Sequence, residues 1–396
     1  MLLVAIDSCR ILSPSDTQFA VNFMSHSGDH LGDMRARSLS PLRHDLRMWL
    51  NGQIAALYPG CFALVMATGI ISNTLFINGH RELSDALFAA NLIAYPWLIV
   101  LTVLRLVRFR REIWADLINP RLVFSFFTMV AGTDVLGVGI NLREFGTVAL
   151  TLWLFALILW FVLIYFSFGV LTFLNTAHGA NVVHGSWLIA IVGTESLVIL
   201  GTAVAPSLGS FGATVFVLIH MLWGVGLGLY GIFIVLFAHR IFFFDIEPDH
   251  ITPLLWVVMG AAAISTNAGS TLILTESGIP FLQSMRPFID GVTLIMWAWA
   301  TWWIPLLLLF GIWKHGICRV PLTYTPMLWS LVFPLGMYAL ASQRLSLAAD
   351  FSPLQSVSHA MVWIALAAWA ATAAGLGVAS WRSFRETGRS SSVKAA

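Results

Sequence analysis

The chain has 396 residues, of which 58% are apolar and only 10% are charged, a composition outside the range of soluble globular proteins. Lys and Arg together number 21 against 19 Asp and Glu, so the formal charge is +2. There is no large excess of positive charge that would favour nucleic-acid binding. The three cysteines, Cys9, Cys61 and Cys318, have no paired spacing. This excludes a disulfide framework and a zinc site.

Ten apolar stretches are long enough to cross a membrane, which requires about 20 residues in a helix. They lack the alternation of barrel strands and therefore predict an all-α polytopic membrane protein. The predicted limits are 56–77, 84–107, 119–141, 146–174, 184–205, 211–239, 252–275, 288–313, 322–343 and 354–381.

The distribution of Lys and Arg tests this count, because cytoplasmic loops retain positive residues. With the N-terminus inside, 17 of the 21 basic residues fall on the cytoplasmic side. The other side holds only Arg81, Arg143, Arg286 and Arg344. An even number of spans is therefore predicted, with both termini in the cytoplasm of a cell. We divide the chain into an N-terminal tail, 1–50, a transport domain, 51–382, and a C-terminal tail, 383–396.

Glycines recur at similar depth in the odd-numbered spans, at intervals of 61 to 76 residues. They are Gly69, Gly132, Gly193, Gly260 and Gly336. This crude period of one helical hairpin predicts five parallel hairpins around a central pore, with odd helices inside and even helices outside. The glycines would then line the pore or bend its helices. The alternative is that glycine is simply frequent in membrane helices.

Four segments carry a resemblance to a known family: FALVMATGIIS (62–72), GSWLIAIVGTESLVILG (185–201), WVVMGAAAISTNAGSTL (256–272) and WSLVFPLGMYALAS (329–342). They resemble the tellurite-resistance and C4-dicarboxylate transporter family. That family includes plant slow-type, voltage-dependent anion channels and fungal sulfite and malate permeases. The resemblance extends over about residues 50–382.

This resemblance implies ten helices as five hairpins, a central pore within each subunit and a homotrimer. It also implies that Phe333, directly before Pro334, plugs the pore. The family commonly has Gly where this chain has Ala67, and Pro where Ala190 stands, so the bends of spans one and five can differ here. Physically, an aromatic ring beside a proline kink forms an apolar constriction that excludes a hydrated ion until the ring rotates.

Two carboxylic acids, Asp134 and Glu195, follow Gly-Thr on adjacent odd spans. An ionised carboxylate at membrane depth is costly, so such a group faces a cavity, a partner or a proton pathway. Either the two groups lock neighbouring helices in neutral form, or they bind protons beside the pore. A permanent negative charge in the pore would repel an anion. An anion channel therefore requires these groups to be neutral or to lie off the pathway.

These patterns bear on three classes of function. The first is conduction of small anions, such as chloride, nitrate, sulfite or a small carboxylate, through a phenylalanine-gated pore. The second is a proton-coupled carrier for C4-dicarboxylates or sulfite, or a tellurite-resistance-type exporter. The third, a membrane-embedded enzyme, has no support, because no nucleophile elbow, metal-ligand pair or nucleotide loop occurs in a suitable context. No cofactor is expected, and the partners are small inorganic or organic anions and the lipid bilayer.

Overall fold

Every element of the computed structural model is helical in the described residues, which are 50–174 and 184–393, with 384–393 described by their backbone only. The prediction of an all-α protein is therefore confirmed. Most of both predicted tails, residues 1–49 and 384–396, lies outside the residues whose side chains are described. Ten long helices, α1 to α10, make up this part of the chain. Their limits are Ala63–Ile77, Arg81–Arg108, Phe127–Asn141, Gly146–Gly169, Ile189–Val204, Gly212–Phe243, Val257–Leu274, Arg286–Gly311, Trp329–Ala348 and Pro353–Val393.

The odd-numbered helices share a local start. Each is preceded by a short 3-10 helix, and three of these begin with a proline, whose fixed φ suits the first position of a helix. The short 3-10 helices are Pro59–Phe62, Val123–Phe126, Gly185–Leu188, Pro253–Trp256 and Pro326–Leu328. The hairpin period in the glycines therefore has a counterpart in the backbone.

The odd helices form a closed inner ring. α1 contacts α3, α3 contacts α5, α5 contacts α7, α7 contacts α9, and α9 returns to α1. Each even helix packs on the odd helix before it and also contacts the next odd helix, so that α10 closes the outer layer against α1. The chain therefore winds once around a common axis.

Burial separates the two layers. In the most apolar windows of the segments containing α1, α3 and α7, 83% to 89% of residues are buried. The corresponding figure for the segments of α2, α4, α8 and α10 is 22% to 33%. Apolar side chains that remain exposed on the outer helices would be unfavourable in water, and they are suited to contact with lipid.

Hydrogen bonds join each outer helix to the next inner helix. In each case an aromatic side chain of the outer helix meets a polar group of the inner one. The pairs are Tyr95 with Thr133 (2.8 Å), Trp160 with Thr194 (2.8 Å), Trp223 with the Ser265 carbonyl (3.2 Å), Trp297 with Ser342 (3.0 Å) and Trp369 with Thr68 (2.9 Å). In a lipid environment, such bonds satisfy polar groups that have no access to water.

By length and composition, eight helical segments in the described residues can cross a membrane. One of them, Gly185–Phe243, contains both α5 and α6, and α9 is not among the eight. α9 carries Gln343 and Arg344 near its end, which lowers its mean hydropathy. A multi-pass membrane protein is thus established, and the crossing of the membrane by all ten helices stays a prediction.

Candidate functional site

A small cavity lies on the axis of the inner ring. All five inner helices line it, each with two or three residues, and its volume is about 20 Å³, room for one water molecule. No Lys, Arg or His is among the lining residues. Four lining side chains are polar: Asn73, Asp134, Ser196 and Asn267. The rest are aliphatic side chains and one methionine, so this is a mainly apolar cavity with a few polar groups.

Asp134 lies in this cavity wall, and its surroundings favour the neutral acid. The carboxyl oxygen Oδ2 is 2.7 Å from Ser196 Oγ, which is also 2.9 Å from the Gly193 carbonyl oxygen. A serine hydroxyl has one proton to donate. When Ser196 donates to the carbonyl of Gly193, only a protonated Asp134 can complete the bond to Ser196 Oγ. With 1% of its surface exposed and no cation beside it, the neutral acid is the form this site accommodates.

Glu195, the acid that follows Gly-Thr on α5, points elsewhere. It is fully buried, it does not line the cavity, and its Oε1 lies 3.3 Å from Ser265 Oγ on α7. A Cβ at Gly226 of α6 would collide with the same oxygen, so the carboxyl group fits against a glycine of the outer layer. Ser265 Oγ has one proton to donate and two acceptors within reach, Glu195 Oε1 and the Ala261 carbonyl oxygen at 2.9 Å. Glu195 therefore joins α5, α6 and α7 off the axis.

Phe333 is one turn from the cavity on α9. It precedes Met337, a cavity-lining residue, by four positions and therefore lies on the same helix face, toward the start of the helix. Its ring is 2% exposed. One turn before the cavity on the other inner helices the residues are Met66, Val130, Val192 and Gly260. Phe333 is thus the aromatic residue among the five that lie one turn before the cavity, and its role as a gate stays a prediction.

The predicted glycines lie where inner helices approach one another. A Cβ at Gly69 would come within 2.7 Å of Val135, and one at Gly336 would come within 2.7 Å of Ile70. At Gly260 the nearest atom is the Pro334 ring, also within 3 Å, whereas the neighbours of Gly132 stay at 3.4 Å or more. A Cβ at Gly193 would meet Phe127 at 3.1 Å. These glycines permit close packing within the ring, and none of them is among the residues that line the cavity.

Pro334 lies inside α9, and the helix continues through it. Because proline has no N–H, one carbonyl in the preceding turn loses its helical partner. The ring of Pro334 contacts the surface of α7 at Gly260. Gly260 and Pro334 therefore fix the position of α9 directly beside Phe333.

An ion pair fixes the C-terminal end of α2, where the loop that the charge distribution predicts to be cytoplasmic begins. Arg105 is 5% exposed, donates from Nε to the Ala55 carbonyl at 3.1 Å and pairs with Asp116 at 2.6 Å. Asp116 belongs to the short helix Arg110–Leu117, which follows α2. Burial raises the pKa of the Asp116 carboxyl, and the adjacent Arg105 opposes that rise. The basic loop is thus tied to the bundle by a residue counted in the sequence only as a topology signal.

The sequence patterns missed Asn73, Ser196 and Asn267. Each is a polar residue in the apolar middle of an inner helix, and this position was the available signal. Their convergence with Asp134 depends on the rotation of four separate helices. Sequence spacing within one helix does not fix that rotation.

Buried helices in a ring, surrounded by long apolar helices and sharing an axial cavity, define a multi-pass membrane protein of the transporter and channel class. Residues 56–376 match the family described as voltage-dependent anion channel. The chain belongs to this family, whose members are transporters and channels and not enzymes. The predicted family resemblance is therefore confirmed.

Individual relatives agree with this assignment. An uncharacterized transporter of Methanocaldococcus jannaschii is 26% identical over 329 residues, covering 79% of this chain and 90% of that protein. A second uncharacterized transporter of the same organism is 24% identical over 322 residues, covering 78% of this chain and 91% of its own length. An uncharacterized membrane protein of Mycobacterium tuberculosis is 39% identical over 133 residues, which are 34% of this chain and 67% of that protein.

Proposed function

We propose that the chain conducts small anions along the axis of the inner ring, with Phe333 as the gate. The observation that carries the proposal is the axial cavity, which all five inner helices share; its one carboxyl group, Asp134, is buried with no cation among the lining residues, which favours the neutral acid. An uncharged, mainly apolar passage presents no fixed negative charge to an anion. Phe333, one turn away, supplies a constriction of the kind that gates by excluding water.

The proposed membrane topology follows from the distribution of Lys and Arg residues. We propose that all ten helices cross the bilayer, including the less apolar α9, because this leaves both termini and 17 of 21 basic residues on the cytoplasmic side. α9 is enclosed by α1, α7 and α10 and does not need an apolar surface of its own. The homotrimer implied by the family resemblance stays a prediction.

The test is electrical. Purified protein in a planar bilayer, with a chloride gradient across it, should give a current whose reversal potential lies near the chloride equilibrium potential. Nitrate or a small carboxylate on one side should shift that potential, which ranks the anions. A cation-selective current, or no current from either the wild type or Phe333→Ala, would contradict anion conduction.

A proton-coupled carrier is the second candidate, and Asp134 is the observation that favours it. This acid lines the axial cavity, so a proton on it could move with a transported anion. Glu195 is less suited to that role because it faces Gly226 and Ser265 off the axis.

Flux with and without a pH gradient separates the two candidates. For the channel we expect anion flux into proteoliposomes that does not depend on the pH gradient. This should hold for the wild type, for Asp134→Asn and for Glu195→Gln. Asparagine at 134 can donate to Ser196 Oγ as the protonated acid does, so the packing should survive. Uphill flux driven by protons, lost in Asp134→Asn and kept in Glu195→Gln, would establish the carrier instead.

A further inference from the structure

Two oxygen atoms around the axial cavity have no hydrogen-bond donor among the described residues. They are Asp134 Oδ1 on α3 and Asn267 Oδ1 on α7. Each of the two side chains is 1% exposed, and each lines the same cavity. Buried acceptors are normally satisfied, so two of them around one cavity indicate a site for a species that donates hydrogen bonds.

The orientation of the Asn267 amide supports this chemistry. The Asn73 amide is engaged elsewhere, because its Nδ2 donates to the Val135 carbonyl at 3.0 Å and its Oδ1 lies toward Gly139 and Phe88. Asn267 Nδ2 has only the Met337 sulfur, at 3.7 Å, and a thioether is a weak acceptor. The Asn267 amide therefore has an unused acceptor and a weakly used donor, both at the cavity.

An amide with a free acceptor and an available donor matches one ligand group well. A carboxylic acid, or an oxyanion that keeps one O–H, presents a donor and an acceptor on adjacent oxygens at the spacing of an amide edge. Nitrate and chloride have no O–H and would leave the acceptors of Asn267 and Asp134 unpaired. A site whose polar groups need a donor discriminates strongly against ligands that lack it.

We propose that the axial cavity selects a small oxyanion that retains one O–H group, of the hydrogencarbonate class, over fully deprotonated or spherical anions. The inference rests on the proposed anion conduction and names its substrate class. The O–H of the ligand donates to Asp134 Oδ1 or Asn267 Oδ1, and a neighbouring oxygen accepts from Asn267 Nδ2. The neutral Asp134 acid adds no repulsion.

Entry of the whole anion requires the cavity to widen, since it now has room for about one water molecule. Met337 is the side chain best suited to move, because its unbranched thioether chain has three rotatable bonds. Its movement also releases the Asn267 donor from the sulfur. Ligand binding and opening of the passage are thereby coupled at one residue of α9, one turn from Phe333.

Hydrogencarbonate and nitrate make a matched pair of test ions, because both are planar, singly charged and built on three oxygens. They differ in one O–H. Bi-ionic reversal potentials are measured in planar bilayers at mildly alkaline pH, in the wild type and in the Phe333→Ala background. We expect hydrogencarbonate to be the more permeant ion by roughly fivefold to tenfold, the value of about one hydrogen bond. Hydration alone predicts the reverse order, since nitrate is the more weakly hydrated ion.

Asn267→Leu keeps the branched shape of the side chain and removes both polar groups, and it should bring the permeability ratio to one or below. Asn91→Leu is the matched control: Asn91 is also fully buried with an unpartnered Oδ1, but it does not line the cavity. The control should keep the wild-type ratio. If Asn267→Leu does not fold, Asn267→Val replaces it.

A wild-type ratio of hydrogencarbonate to nitrate permeability at or below one, or a ratio unchanged by Asn267→Leu, would overturn the proposed selectivity. Water alone would then satisfy the acceptors. Absence of any anion current is a different result, because it removes anion conduction itself along with this inference.

Discussion

Phe333→Ala should increase the anion current through a reconstituted bilayer by roughly tenfold or more, equivalent to removing a barrier of about 1.4 kcal/mol. The ring lies one turn from the axial cavity, and the residues at its level on the other inner helices are Met66, Val130, Val192 and Gly260. Truncation to alanine removes the one aromatic side chain among these five residues. The passage can then admit water, and a hydrated anion can follow.

Phe124→Ala is the matched control for that experiment. Phe124 is as deeply buried as Phe333, but it lies in the 3-10 helix before α3, among the rings of Phe127, Trp187 and Phe233. Both substitutions create a cavity and should lower stability by about 3–5 kcal/mol. Only Phe333→Ala should raise the current. Equal currents from the two variants at equal protein density would remove Phe333 from gating.

The all-α class and the repeated starts of the inner helices were accessible from the sequence because they depend on local features. Glycines at intervals of 61 to 76 residues and prolines before several odd spans repeat along the chain. The structure places a 3-10 helix before every inner helix in the same pattern. Helix limits were also close, since the charges and prolines that end an apolar stretch are visible in the sequence. α5, for example, was predicted within 184–205 and is observed at Ile189–Val204.

The surroundings of the two acids were beyond the reach of sequence. Asp134 and Glu195 occupy the same position after Gly-Thr, yet Asp134 faces the axis and Glu195 faces α6. Successive residues of a helix are about 100° apart, so a rotation of α5 by that angle exchanges the residue that points inward. On α5 that residue is Ser196, which then meets Asp134 across the cavity.

α9 shows a second limit of sequence reasoning. Its composition alone does not identify it as a membrane span, because Gln343 and Arg344 interrupt the apolar run. The apolar stretch 322–343 predicted a span that ends at these polar residues, and the count of basic residues and the family resemblance supported it. In the structure α9 is enclosed by α1, α7 and α10, so packing partners replace the lipid contact that hydropathy measures.

Gly260→Ala should lower stability in detergent by about 1–3 kcal/mol, the usual cost of overpacking a tight contact. A Cβ at this position would lie 2.8 Å from Pro334 Cγ and 3.1 Å from Pro334 Cβ. A proline ring cannot rotate away as a flexible side chain would, so α7 and α9 must separate. Because Pro334 follows Phe333 directly, the displacement should also change the basal anion current. Thermal unfolding midpoints and bilayer currents measure the two effects.

Gly132→Ala provides the control, since its new Cβ would meet Phe62 and Val65 only at 3.4 Å or more, an ordinary contact distance. Its stability should remain close to that of the wild type. In the double variant Gly260→Ala with Pro334→Ala, the rigid ring is absent and the clash is relieved. The double variant should therefore be more stable than Gly260→Ala alone, with a coupling energy of about 0.5–3 kcal/mol between the two sites. The close contact of α7 with α9 does not set the position of Phe333 if Gly260→Ala proves as stable as Gly132→Ala. The same holds if adding Pro334→Ala does not restore stability to Gly260→Ala.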